Sequence, residues 1–293
     1  MTHRPSCSWV RFWVMGGTLV VGACDDESSR VFREDGSAAS GDAFLVPLDA
    51  PGASDAEDRD APEETPSLPD AGSFDAGGEG GFEAGVLNLE QGWMLHNWRL
   101  TDDNTGLARY QFENDGLVAI QTANPDPSAY VNLQTYASVV IRGTFSIQTT
   151  SDDDLVGFVF GWQDPERFYL FDWKQATQVY NPCGSAQVGA SLKLFAGNGA
   201  PDKCEDFWNS SGSPRATVLV NRSENPAGWK DNGTYQFTLT WKPGDIRIEV
   251  REGENVVVSL VSNDATFTSG KFGFYNYSQQ AVRYEGFEVQ PAP

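Results

Sequence analysis

The sequence predicts an all-β fold: one antiparallel β-sandwich of roughly a dozen strands from about residue 86 onward, preceded by an acidic stretch that builds no core. Three observations carry this reading. Apolar and polar residues alternate with a period of two through much of the C-terminal part. No segment there long enough for a globular helix shows an apolar helical stripe. The composition also changes abruptly near Gly85, so that seven of the nine tryptophans lie beyond residue 90.

The charge follows the same division. The 293 residues carry 41 acids and 20 bases, a formal net charge of −21. Residues 25–85 hold 17 of the acids and 3 of the bases, and large apolar residues are sparse among them. Such a stretch cannot bury enough surface to offset its conformational entropy. The acid excess in both parts argues against nucleic-acid partners, which need a basic footprint. His3 and His96 are the only histidines, which excludes His-based zinc centres and most His-dependent triads.

Taken in order, residues 1–23 have the layout of an export signal. Arg4 and Arg11 supply positive charge, residues 13–21 a short apolar run, and Gly22 and Ala23 the small residues before Cys24. The apolar run falls short of the roughly 20 residues of a membrane span. Val21-Gly22-Ala23-Cys24 resembles a bacterial lipobox, which implies lipidation at Cys24 and a protein of the cell envelope that meets the membrane only through that anchor. An ordinary secretory signal is the alternative. With Cys7 inside the signal, Cys183 and Cys204 remain as an even pair. A bridge between them would be worth on the order of 3 kcal/mol in the chain-entropy model, and an oxidising compartment permits it. Two unpaired buried thiols are the other possibility.

Residues 24–85, rich in Asp, Ala, Gly, Pro, Ser and Glu, read as a disordered acidic linker that extends by self-repulsion. Strands follow. In residues 234–241, Tyr235, Phe237, Leu239 and Trp241 alternate with polar residues, and Lys242-Pro243-Gly244 marks a turn. Ile246, Ile248 and Val250 then alternate with Arg247, Glu249 and Arg251, and Glu252-Gly253-Glu254-Asn255 turns into residues 256–260. Val139, Ile141, Phe145 and Ile147 repeat the pattern, and Tyr284 and Phe287 keep it with a one-residue slip. Residues 155–162 and 168–173 are apolar on both faces and read as central strands.

The run from Asp152-Asp153-Asp154-Leu155-Val156-Gly157-Phe158-Val159-Phe160-Gly161-Trp162-Gln163 through Arg167-Phe168-Tyr169 to Trp173-Lys174-Gln175 resembles the C-terminal domain of thrombospondins. Asn124-Pro125-Asp126-Pro127, Gly228-Trp229-Lys230-Asp231, Gly244-Asp245-Ile246-Arg247 and Ser278-Gln279-Gln280-Ala281-Val282 fall in the same order. The likeness extends over about residues 88–289. It implies a legume-lectin-like (concanavalin A-type) jelly roll and a calcium-dependent adhesion domain that contacts extracellular matrix. Pro125 stands where that family tends to have cysteine, and the Cys183 and Cys204 pair is local to this chain, so receptor contacts are not carried over.

Chemistry concentrates at Asp152, Asp153 and Asp154, at a strand entrance. Three adjacent carboxylates repel, and a hard divalent cation with oxygen ligands would stabilise them. Strict alternation would send Asp152 and Asp154 to one side and Asp153 to the other, so a further donor is expected from Asp126 or Asn124. The resemblance implies Ca²⁺ here as well; a solvated acidic strand edge is the plain alternative. A glycan-cleaving hydrolase would need two facing carboxylates. Inside strands there are only Asp172, expected to bond Arg167, Lys174 or backbone, and Glu249 near Glu252. Tyr275, Tyr277 and Trp208 invite sugar stacking but more often fill a core. The expected function is a non-catalytic exported binding module for an extracellular glycan or a matrix or surface protein.

Overall fold

The computed structural model describes residues 82, 84–103 and 106–293 in full, together with the backbone of three short strands before them. The chain divides into two compact units, Met1–Ser73 and Phe74–Pro293. In the first unit, β1 (Ser8–Val14), β2 (Gly17–Ala23) and β3 (Arg30–Phe32) pair antiparallel in that order. The stretch expected to act as an export signal supplies β1 and β2. Cys24 and most of the linker expected over residues 24–85 lie outside the described residues.

The second unit is a sandwich of two antiparallel sheets. Its early strands are β4 (Gly85–Val86), β5 (Trp93–Asn97), β6 (Tyr110–Glu113), β7 (Val118–Gln121) and β8 (Ser128–Asn132). Then come β9 (Val139–Ile147), β10 (Leu155–Asp164), β11 (Arg167–Lys174), β12 (Gln178–Tyr180), β13 (Gly184–Ala186) and β14 (Gly189–Ala196). A short helix, α1 (Cys204–Trp208), precedes β15 (Ala216–Val220), β16 (Thr234–Lys242), β17 (Asp245–Glu252), β18 (Asn255–Ser262), β19 (Lys271–Tyr277) and β20 (Val282–Pro291). One sheet has seven strands in the order β15-β14-β11-β10-β19-β8-β5. The other has eight, β18-β17-β16-β9-β20-β7-β6 with β4 on β20, and β12 and β13 form a separate hairpin.

The meander expected from alternation is β16-β17-β18, with Leu239 opposite Ile248 and Ile248 opposite Leu260. The slip between Tyr284 and Phe287 is a register shift in β20, where Gly286 takes a φ of 65° that favours glycine. β10 and β11 lie in the interior of the seven-stranded sheet, as their two-sided apolarity requires. They approach so closely that a Cβ on Gly157 would stand 2.0 Å from the Phe171 carbonyl oxygen. The sequence reading did not resolve short β4, β5 and β6, nor α1, whose five residues are too few to show a helical stripe.

Two apolar layers result. Phe158, Phe171, Trp173, Phe237, Trp241, Phe272 and Phe274 pack between the sheets, with Phe274 stacked on Tyr284 at 4.1 Å between ring centroids. The opposite face of the seven-stranded sheet is also covered. Trp98, Leu100, Phe207 and Trp208 lie over Leu155, Val159, Phe168, Leu170, Tyr275 and Tyr277. Cys183 and Cys204 are disulfide-bonded, with Cα atoms 5.0 Å apart, and staple this covering segment to itself. Both cysteines are fully buried. Cys204→Ser is expected to lower the unfolding free energy by about 3 kcal/mol, measured as a lower denaturant midpoint under non-reducing conditions; an unchanged midpoint would show the staple to be dispensable.

Candidate functional site

The Asp triplet sits just before β10 begins, outside the ladder that would force its side chains to alternate. The Asp154 amide donates to Gln279 Oε1 (3.0 Å), and the Asp153 carbonyl accepts from the Gln175 amide (3.3 Å). The loop therefore curls, and one carboxylate oxygen from each of Asp152, Asp153 and Asp154 lies within 4.8 Å of the others. Strict alternation would have parted them, and the curl brings all three to one side. Asn124 also reaches the cluster, its Nδ2 donating to Asp152 Oδ2 at 3.3 Å. Asp126 stands outside that group of carboxylates; it is buried, and its amide donates to the Gly106 carbonyl.

A cation the sequence reading missed is already present. Lys174 ends β11, opposite Leu155 in the register, so its side chain points along the face on which the triplet converges. Its Nζ donates to Asp154 Oδ1 (2.8 Å), the Asp153 carbonyl (2.8 Å), Asp153 Oδ1 (3.2 Å) and Gln178 Oε1 (2.9 Å). The side chain is fully buried and lies 4.8 Å from the centroid of the Trp208 ring. The one signal that could have found it is the placement of a lysine at the end of an otherwise apolar central strand.

Lys174 does not quiet all three acids. Burial, and then the charge of Asp154, push the Asp152 carboxyl up to about 6. Burial also raises Asp154, against the opposing pull of Lys174. The site thus retains an excess of negative charge that part-desolvated carboxylates hold at a cost.

A second charged group lies under the covering segment. Asp172 is fully buried, 3.0 Å from Arg222 and 3.2 Å from Lys193, and accepts from the Ser191 hydroxyl. Its partners are thus neither Arg167 nor Lys174, which serve Asp164 and the triplet. Burial pushes the Asp172 carboxyl up, but Arg222, Lys193 and Ser191 outweigh it and hold it below the ordinary carboxylate range. Burial brings Lys193 down to about 8. Lys193 Nζ also donates to the Phe207 carbonyl and Arg222 to the Gln187 carbonyl, so the cluster pins both arms of the covering segment. Glu249 and Glu252 are ion-paired with Arg251 and Lys230. His96 packs edge-on against Trp98, and burial lowers its pKa. Tyr275, Tyr277 and Trp208 are core residues, at most 3% exposed, rather than an open stacking surface.

Two facing antiparallel sheets with this strand order make a jelly-roll sandwich of the lectin-like class. The chain belongs to the thrombospondin C-terminal family: the family model described as the thrombospondin C-terminal region matches residues 106–292. Human thrombospondin-2 is 34% identical over 186 residues, which cover 60% of this chain and 16% of the human protein. Bovine cartilage oligomeric matrix protein is 33% identical over 178 residues, 58% of this chain and 24% of that protein. The chain therefore spans less than a quarter of the length of either relative. Among solved structures, a carbohydrate-binding module of family 66 from Bacillus subtilis superposes with a TM-score of 0.45 and 11% identity, covering 68% of this chain and 95% of the module. The exoplasmic domain of VIP36 in its Ca²⁺- and mannose-containing form gives 0.44 and 8%, covering 69% and 84%.

The raised pKa of Asp152 has a definite sign. An aspartate whose folded-state value near 6 exceeds its unfolded value of 3.8 takes up a proton on folding between those limits, so it favours the folded state increasingly as pH falls through 6. With divalent ions chelated, the Tm of the full chain is expected to rise from about pH 7 to about pH 5, and Asp152→Asn to flatten that rise. Because burial lowers the His96 pKa and so opposes the rise over the same interval, the check is the difference: an equal pH dependence in wild type and Asp152→Asn would contradict the crowding of charge at this loop.

Proposed function

We propose that this protein is a non-catalytic, exported binding module that requires calcium and recognises an extracellular glycan or a matrix or surface protein. The convergence of the three Asp carboxylates at the mouth of β10 is the observation that carries this reading. Family membership supports it, because the triplet opens the segment most specific to the resemblance. The carboxylates a glycan-cleaving hydrolase would use, Asp172, Glu249 and Glu252, are each committed to ion pairs.

The donor set fits a hard cation. Asp152 and Asp153 supply carboxylate oxygens, and Asp154 shares its own with Lys174. Asn124 contributes an amide oxygen if its side chain turns about, and Asp126 acts, in this reading, as an acidic neighbour in the adjoining loop rather than as a member of the triplet. Calcium, when bound, supplies the positive charge that the triplet lacks beyond Lys174. These residues fix the loop that joins β9 to β10, and the loop borders the end of the sandwich where a ligand would dock. Magnesium, whose small shell demands near-octahedral ligands, suits such loop donors less well.

The test is thermal melting of the full chain with calcium, with magnesium and with chelator, alongside a glycan and matrix-protein array. A cation that binds only the folded form adds about 2.7 kcal/mol at a hundredfold excess over Kd. Calcium is expected to raise the Tm and to be required on the array, and Asp153→Ala to abolish both effects. A wild-type Tm indifferent to calcium would leave the triplet as a solvated strand edge.

Location follows from Cys24 in this reading: the module stands off a membrane on its acidic linker. Cys24→Ala is expected to move the protein from the membrane fraction to the soluble one on cell fractionation, and unchanged partitioning would rule the anchor out.

A further inference from the structure

A small pocket of about 130 Å³ opens beside the triplet, where the covering segment meets the end of the seven-stranded sheet. It is lined by Asp103, Asp154, Gln178, Tyr180, Trp208 and Tyr277 among others. For scale, an enclosed apolar cavity of about 150 Å³ accepts a benzene ring, so this pocket takes one edge of a six-membered ring and leaves the rest outside it.

The chemistry of the walls selects the ring. Tyr180 is 42% exposed and meets Trp208 edge-on at 5.9 Å, so a large aromatic face stands at the entrance. It lies on the β12–β13 hairpin, which the Cys183–Cys204 staple fixes over the sheet. Inside, Trp208 is almost wholly buried, and its indole N–H finds no acceptor among the described residues. Opposite are acceptors. Asp103 receives the Tyr277 hydroxyl at 2.6 Å, and Asp154 receives Lys174 at 2.8 Å. An ionised carboxylate has about four lone-pair sites, so each can accept again. Gln178 gives its oxygen to Lys174 and keeps its amide donors.

An ammonium ligand would suit the carboxylates, but Lys174 already matches Asp154, and an ammonium offers no acceptor to the Gln178 amide donors. A hydroxyl both donates and accepts. A ring that carries several hydroxyls on its edge and an apolar C–H face meets every wall at once, with that face against Tyr180.

We infer that this pocket seats one pyranose unit of a glycan, with Tyr180 stacking on the ring, Asp103 and Asp154 accepting from its hydroxyls, and Gln178 donating to them. The inference rests on the glycan arm of the proposed function and narrows it to one place.

The test uses the full chain in calcium, with methyl glycosides of glucose, galactose, mannose and N-acetylglucosamine as probes in ligand-observed NMR. Saturable binding of at least one glycoside is expected, weakened at least tenfold in Tyr180→Ala and in Gln178→Ala, with the Tm of Tyr180→Ala unchanged. Tyr180 is part-exposed on a hairpin, so its loss spares the core, and Asp103→Asn, which keeps an acceptor for Tyr277, serves as a third variant with the same expected loss. Equal binding by wild type and Tyr180→Ala would overturn the pocket while leaving glycan recognition standing. Binding of matrix protein on the array without any glycoside would overturn the pocket and leave the protein arm of the function. Binding of Nα-acetyl-lysinamide in place of every glycoside would overturn the hydroxyl chemistry.

Discussion

The seven-stranded sheet is buried on both faces, and that constraint shapes everything charged within it. An antiparallel sheet commonly packs one face and wets the other. Here Trp98, Leu100, Phe207 and Trp208 close over the second face. Any ionised group on that side must carry its counter-charge inward with it, because an isolated buried charge is prohibitive. Two solutions stand side by side. Asp172 takes Lys193 and Arg222 from neighbouring elements, and Lys174 takes Asp153 and Asp154 from the loop before β10. The first is closed off and fixes the cover. The second lies at the edge, where a surplus of carboxylate remains.

Much of the frame was legible in the sequence because a period of two is a local property. The alternation of Tyr235, Phe237, Leu239 and Trp241 needs only its own strand to be read, and so does the two-sided apolarity of β10 and β11. Even the slip between Tyr284 and Phe287 shows as a broken beat, which Gly286 explains. The site was less legible, since its partners are set by which strands become neighbours. Asp172 was matched with Arg167 and Lys174 because they are near in sequence, whereas β11 lies beside β14 and brings Lys193 to it instead. Whether the triplet alternates or curls is not written in its own residues; it lies just before β10, where the regular ladder has not yet begun. Neither the cover over the outer face nor the orphaned Trp208 N–H has a local signature. Both depend on where the Cys183–Cys204 staple lays its segment.

The acidic end of the sandwich joins these features. Lys174 ties Asp153, Asp154 and Gln178 into one network and rests on Trp208, so the triplet loop, the hairpin and the cover share a single buried ammonium. Networks of this kind are worth more intact than the sum of their pairs, and they lose more when one member goes.

The order of the strands also bears on how the chain is made. β19 lies between β10 and β8, and β20 lies between β9 and β7, so the last two strands of the sandwich in chain order are interior members of its two sheets. Until they emerge from the ribosome, the earlier strands have a gap down the middle of each layer and no closed core to bury. Contacts across such distances in sequence make for slow closure. The nascent polypeptide thus stays open to chaperones until β19 and β20 are made, and a chain without them has no keystone in either sheet.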